Sequence, residues 1–307
     1  MIYLDNSATT NPKPQAVKNA VSKAMNYYSF NSGRGGYKES VNTSNMIFTV
    51  REKIADMFSF LPQNIAFVPN CTFALNYAIK GIAKPGDHFI ISNLEHNAVV
   101  RPIYSLYEKG IISYDAAKFS YDKEETLNNF KSLIKANTKA IVCMHASNVF
   151  GCVFPIKEIG KLAHDNGIIF IVDAAQSAGV LDIDADRDNI DILCTPGHKG
   201  LYAPMGSGFI AVGDGITLDT IIEGGTGSMS MILSQPKDLP DRLESGTLNN
   251  VAICGLAAGI DFVNSKKIDN IYNHEKSLMN MVYKEMSKNE NVTLYTPDFK
   301  DAFSAPI

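Results

Sequence analysis

The middle of this chain repeats one unit: a short unbroken apolar run, a turn, then an amphipathic stretch. The runs are Ile65–Val68, His88–Ser92, Ala140–His145, Ile168–Asp173, Ile190–Cys194 and Gly208–Val212. They are rich in Val and Ile without polar alternation, the pattern of strands covered on both faces and therefore of a mostly parallel sheet. Thr72–Ile82, Val99–Lys109, Thr126–Lys135 and Ile156–Asn166 read as the intervening helices, and Pro85-Gly86-Asp87, Asn166-Gly167 and Gly213-Asp214-Gly215 as turns. Successive β-α units give a layered α/β fold. With 307 residues, 45% of them hydrophobic, the chain can bury a large core and begin a second domain. From Val251 the texture changes. Val251–Asn264 and Ile268–Lys288 are helical patterns, Val292–Tyr295 reads as a strand, and Phe303–Ile307 as the approach to another.

Composition narrows the function. The net charge is −4 and no long basic run occurs, which gives nucleic acid or an anionic membrane little to hold. No apolar stretch approaches the roughly 20 residues of a membrane helix. Met1-Ile2-Tyr3-Leu4-Asp5 lacks the charged and apolar regions of a signal peptide. The five cysteines (Cys71, Cys143, Cys152, Cys194, Cys254) are scattered with no CxxC, as expected of reduced thiols in a cytoplasmic protein. The six histidines are dispersed with no HxxxH, so no metal site is expected.

Ligands in open α/β sheets bind beyond the carboxyl ends of the strands, and here those ends carry polar residues. Asp173 closes the run Ile169–Asp173, with Gln176 three residues on. A carboxylate there can keep a pyridine nitrogen protonated. It can equally cap a helix, with Gln176 as its capping-box partner. Lys199 lies in Thr195-Pro196-Gly197-His198-Lys199-Gly200-Leu201, where the glycines permit close backbone approach. A lysine of this kind can form a Schiff base with an aldehyde cofactor, or be a solvated loop residue. Pro69-Asn70-Cys71-Thr72 sits between a strand and a helix, which suits a phosphate or a simple cap. His96, in Glu95-His96-Asn97, could stack on an aromatic ring and move protons, or cap the following helix. Asn148, in His145-Ala146-Ser147-Asn148-Val149-Phe150-Gly151, could meet a ring oxygen or serve the turn. No GxxxxGK[ST] or strand-linked GxGxxG competes. Taken in order, the strand ends offer groups for a phosphate, a ring face, a ring oxygen and a ring nitrogen, with a lysine at the next: the requirements of pyridoxal 5'-phosphate.

These residues, together with Tyr3–Thr10, Asp173-Ala174-Ala175-Gln176-Ser177-Ala178-Gly179, Glu223–Ser228 and Arg242-Leu243-Glu244-Ser245-Gly246-Thr247-Leu248-Asn249, resemble the class V aminotransferase family of pyridoxal phosphate enzymes, nearest its cysteine desulfurase and selenocysteine lyase branch. The resemblance implies a fold-type I architecture with a seven-stranded, mostly parallel sheet. Residues 14–250 would form the large cofactor domain, and 1–13 with 251–307 an incomplete smaller α+β domain. It implies that Lys199 carries the Schiff base and that His96 lies on the ring. Asp173 would pair with the ring nitrogen, and Gln176 with its oxygen. Thr72 and His198 would hold phosphate, with Cys71 at the same turn. It further implies a homodimer with shared sites, in which Thr247 reaches the neighbour's phosphate. Pro196, Cys71 and Phe73 depart from the family's usual residues.

The activity so implied is conversion of L-cysteine to L-alanine with an enzyme-bound persulfide, passed to a sulfur acceptor protein. In that branch the nucleophilic cysteine and a carboxylate-binding arginine come from a later loop, matched by none of the five cysteines, so this loop is expected to be absent from the chain. The alternatives are an aminotransferase, lyase or epimerase that needs no cysteine, with Arg34 as carboxylate clamp, or a truncated cofactor-binding protein without turnover.

Overall fold

A computed structural model describes residues 2–33, 35–226, 228 and 231–295. Arg34 and the expected strand approach at Phe303–Ile307 lie outside the described residues. Seven strands form one sheet: β1 (Ile65–Val68), β2 (Asp87–Ser92), β3 (Ile112–Ala117), β4 (Thr138–Met144), β5 (Ile169–Asp173), β6 (Ile192–Pro196) and β7 (Gly208–Val212). Their order is β1-β7-β6-β5-β4-β2-β3. Only β7 runs against its neighbours, and every other pairing is parallel. The six apolar runs read from the sequence are six of these strands. The seventh, β3, escaped because its Ile-Ser-Tyr-Asp-Ala-Ala is buried mainly at its two ends. An edge strand carries less of the continuous apolar signal that marks the centre of a sheet.

Side-chain alternation splits the core into two layers. Phe67, Ile141, Phe170, Val172 and Leu193 point to one face, against α2 (Lys38–Phe58), α6 (Ile156–Asp165) and α8 (Asn250–Lys266). Val68, Phe89, Val142, Ile171 and Cys194 point to the other, against α3 (Cys71–Ile82) and α4 (Asn97–Glu108). Each fully buried Val, Leu, Ile or Phe contributes about 1.5–3 kcal/mol, so the strands are held from both sides. The remaining helices are α1 (Gln15–Tyr27), α5 (Lys123–Ser132), the short α7 (Ala185–Asp188) and α9 (Ile268–Met286). The sequence pattern did not show α2, because its buried stripe begins Ser40, Thr43, Ile47 and is half polar at its start. Helix α8 packs against both α1 and α2 and joins the sheet's core through Ile253, Leu256 and Ile260.

One expectation is corrected. Residues 291–295 are a turn followed by irregular chain, not a strand. Val292 and Val-like alternation there lack a neighbouring strand among the described residues, and an unpaired strand has nowhere to place its backbone hydrogen bonds. None of the described helices is long and apolar enough to cross a membrane.

A buried ion pair ties α2 to the loop before α8. The Arg51 guanidinium donates to both Glu244 carboxylate oxygens, at 2.8 and 2.7 Å, and also to the Ile65 carbonyl. Glu244 Oε1 accepts in addition from the Phe67 amide at 2.6 Å. Arg51 also lies over the Phe67 ring, 4.7 Å from its centroid. Breaking such a pair leaves an uncompensated buried charge. Arg51→Met is expected to destabilise the fold by about 3–5 kcal/mol, read as a fall in the guanidinium chloride midpoint. A midpoint equal to the parent's would refute this account of the pair.

Candidate active site

The carboxyl ends of β1, β2, β4, β5 and β6 share one edge of the sheet, and the loops that leave them enclose a cleft of about 610 Å³. Of the nine site residues expected from the sequence, eight line it: Cys71, Thr72, His96, Asn148, Asp173, Gln176, His198 and Lys199. Thr247 does not. It borders a separate cavity with Asn31, Arg51 and Glu244.

Strand register places the carboxylate. Met144 of β4 and Cys194 of β6 flank Asp173 of β5. Since Phe170 and Val172 face α2 and α6, Asp173 faces the α3 layer. Its side chain is enclosed, and Oδ1 accepts from the Ala175 amide at 2.9 Å and the Cys71 thiol at 3.4 Å. Neither bond uses Oδ2. Burial pushes the carboxyl above its ordinary pKa, opposed by the Ala175 amide, the Cys71 thiol and the charge of Lys199. A cationic N–H at Oδ2 would hold it ionised. The residues directly after β5 form a turn rather than a helix, so Asp173 caps a turn, and Gln176 donates from Nε2 to the Ser7 carbonyl at 3.3 Å.

Lys199 sits one turn beyond β6. Burial pushes its ammonium below the ordinary value, and the Asp173 carboxylate opposes this. A lowered pKa raises the share of free amine, the form that attacks an aldehyde. Two glycines let this turn lie on the segment after β5. A Cβ on Gly200 would come 2.3 Å from the Ala178 carbonyl, and one on Gly179, where φ is +84°, 2.3 Å from the Gly200 carbonyl. Of the two glycines flanking the lysine, Gly200 thus makes a backbone-to-backbone approach, whereas a Cβ on Gly197 would meet the Ser207 side chain.

Several site residues also do the local work that their sequence context suggested. Asn70 caps α3, its Oδ1 accepting from the Phe73 amide at 3.2 Å, and this fixes the helix N-terminus at the cleft. That end, with Cys71 and Thr72 in the first turn, favours an anion. His96 caps α4, its Nδ1 accepting from the Ala98 amide at 3.1 Å. In the neutral ring the proton therefore sits on Nε2. His198 Nδ1 is buried without a protein partner, and burial pushes the ring's pKa down. Asn148 is exposed at the mouth.

Sequence reasoning passed over two groups. Glu95, beside His96, is half-buried with its carboxyl turned inward, Oε1 accepting from the Ser92 hydroxyl at 2.5 Å and the Met144 amide at 2.8 Å. Burial pushes its carboxyl up to about 8, so it is largely neutral and joins the ends of β2 and β4. The second is Lys13, whose Nζ donates to the His198 carbonyl at 2.7 Å and to Thr10 Oγ1 at 2.6 Å. The signal for Glu95 was an acid at the end of an apolar strand. Lys13 gave none, being 185 positions from His198, whose carbonyl it meets. The thiols of Cys143, Cys152, Cys194 and Cys254 are buried outside the cleft, and burial raises the pKa of each.

Two measurements test these electrostatics. Removing the negative charge with Asp173→Asn is expected to lower the Lys199 pKa further, since that carboxylate favours the ammonium. The pH dependence of Lys199 methylation in cofactor-free protein reads this, and an unchanged or raised value refutes the coupling. His145, one residue past β4, is buried with its pKa pushed down to about 4 from an ordinary 6.5. The folded state then binds fewer protons than the unfolded between these values. Its contribution is complete above 6.5 and is lost as the pH falls toward 4, about 3 kcal/mol in all. His145→Gln should flatten the fall in urea midpoint between pH 7 and 4.5, and an unaltered slope would show that His145 is not responsible.

A profile of the family described as Aminotransferase class-V matches residues 2–305. A probable cysteine desulfurase of Methanothermobacter thermautotrophicus is 30% identical over 302 residues, covering 96% of this chain and 74% of the relative. The cysteine desulfurase IscS of Clostridium botulinum is 32% identical over 232 residues, covering 73% of this chain and 56% of the relative. Among solved structures, the apo cysteine desulfurase of Thermococcus onnurineus NA1 superposes with a TM-score of 0.90 at 27% identity, over 99% of this chain and 77% of that one. The seven-stranded sheet, the cleft at its carboxyl edge and this extended match place the chain in the class V aminotransferase family of pyridoxal phosphate-dependent enzymes, on its cysteine desulfurase branch.

Proposed function

We propose that this chain holds pyridoxal 5'-phosphate in the cleft and acts on an amino acid, with L-cysteine as substrate and L-alanine as product. One observation carries the reading: Lys199, with a lowered pKa, and the enclosed Asp173 face one cleft and act on each other electrostatically. The cofactor fits the groups present. The α3 N-terminus and the unpartnered His198 Nδ1 suit a phosphate, and the uncommitted Oδ2 of Asp173 suits a pyridine N–H. When bound, the cofactor supplies an aldehyde for an amine and a ring that stabilises negative charge at the substrate α-carbon.

The chain's residues then divide the work. Lys199 Nζ would hold the cofactor's aldehyde group and, as a free amine, would move the proton at the substrate α-carbon. Asp173 Oδ2 keeps the ring nitrogen protonated. His96, its ring set by the α4 cap, covers the ring face, while Gln176 and Asn148 serve the ring oxygen. Thr72, the Cys71 turn and His198 hold the phosphate. We further propose a cytoplasmic homodimer in which Thr247 serves the partner's site, with residues 14–250 forming the large domain. The names of the cysteine desulfurase relatives support cysteine as substrate, as does the SspA structure in complex with cysteine, 30% identical to this chain with a TM-score of 0.74 over 85% of it.

The thiol that takes the sulfur is not one of these five cysteines. Four lie outside the cleft, and Cys71 is buried with a raised pKa and engaged to Asp173. The same observation favours a second reading, amino-group chemistry on a substrate without a sulfur step. Adding the cofactor is expected to give a yellow protein, and Lys199→Ala to abolish the band. A colourless parent protein sinks both readings. A yellow protein that makes alanine and sulfide from L-cysteine in the presence of an added thiol supports the first, and one that transfers only the amino group supports the second.

A further inference from the structure

We propose that Lys13 is a positioning residue for Lys199, the charged end of an N-terminal brace that fixes the distance between the two walls of the cleft. The inference rests on the cofactor reading above and adds a part of the chain that does not line the cleft. Residues 7–13 cross from one wall to the other. At one end, the Ser7 carbonyl accepts from Gln176, after β5. At the other, Thr9, Thr10 and Lys13 converge on the peptide between His198 and Lys199, after β6.

That convergence is dense. The His198 carbonyl receives the Thr10 amide at 3.2 Å, the Thr9 hydroxyl at 3.1 Å, the Thr10 hydroxyl at 3.2 Å and the Lys13 ammonium at 2.7 Å. The Thr10 hydroxyl also lies 3.2 Å from the Lys199 carbonyl. A carbonyl oxygen has two lone pairs, so four donors compete for it. The ammonium is the nearest and the only charged one, and charge-assisted bonds are roughly twice as strong as neutral ones. Burial alone sets the titration of Lys13, pushing it down to about 8, and its oxygen partners are a hydroxyl and a carbonyl rather than a carboxylate. Its charge also helps to keep His198 neutral. The brace itself is stapled by the Tyr3 hydroxyl, which donates to the Asp5 and Thr9 carbonyls at 2.9 and 2.8 Å.

Loss of one charge-assisted bond corresponds to about a tenfold change in an equilibrium. In cofactor-free protein, Lys13→Met is expected to raise amide hydrogen exchange about tenfold across residues 5–13 and 197–203, while circular dichroism stays that of the parent. With pyridoxal phosphate added, its dissociation constant should rise about tenfold and imine formation at Lys199 should slow. Lys13→Arg should restore all three. Parental exchange in Lys13→Met overturns the brace. Faster exchange with parental affinity and imine kinetics overturns the positioning role. A parent protein that stays colourless overturns the cofactor reading instead, and the exchange comparison still decides the brace.

Discussion

A carboxylate enclosed in an apolar layer is the constraint on which the rest of this site depends. Asp173 reaches that position because β5 is central, with β4 and β6 paired in parallel on either side. The sheet buries it, and burial works against its charge. Only partners can offset that, and the chain provides two neutral donors to one oxygen and a lysine across the cleft. The other oxygen takes neither donor. On the proposed reading, that oxygen is the one that a pyridinium N–H would meet.

Lys199 is held by a different principle. Its turn lies on the segment after β5 through backbone contacts that only glycine permits, at Gly179 and Gly200. The N-terminal brace then grips the peptide bond on the residue's other side. Main-chain packing on the segment after β5 sets one side of the Lys199 turn, and the Thr9, Thr10 and Lys13 donors set the other. Such arrangement by rigid neighbours is what preorganisation means for a reacting group.

The sequence made the central sheet legible because its strands are buried on both faces, and that burial leaves an unbroken apolar run. It hid β3, an edge strand, and α2, whose buried stripe opens with Ser40 and Thr43. At 291–295 a strand-like pattern has no neighbouring strand among the described residues. That residues at several strand ends would line one cleft was legible, because the rule that ligands sit beyond the carboxyl ends of strands converts sequence position into spatial position, while His198 came from the family resemblance. Lys13 was not, since its meaning comes from a contact with His198 that no local pattern encodes. Glu95 stood in view beside His96, but its neutral state follows from burial between β2 and β4, which only the fold supplies.

For several of these residues, the sequence offered a local structural role or a chemical one as alternatives. The capping roles are present in the structure, and on the proposed reading the chemical roles fall at the same places. Asn70 caps α3 and thereby points a helix N-terminus into the cleft. His96 caps α4 through Nδ1, and that bond selects which nitrogen keeps the proton in the neutral ring. Asp173 closes a turn through Oδ1 and thereby frees Oδ2. A cap is a short hydrogen bond from a side chain to nearby backbone, and it removes rotamer freedom before any ligand binds. The cost of ordering these groups is then met during folding rather than during binding. A capping residue at the carboxyl end of a parallel strand is therefore already most of a binding residue.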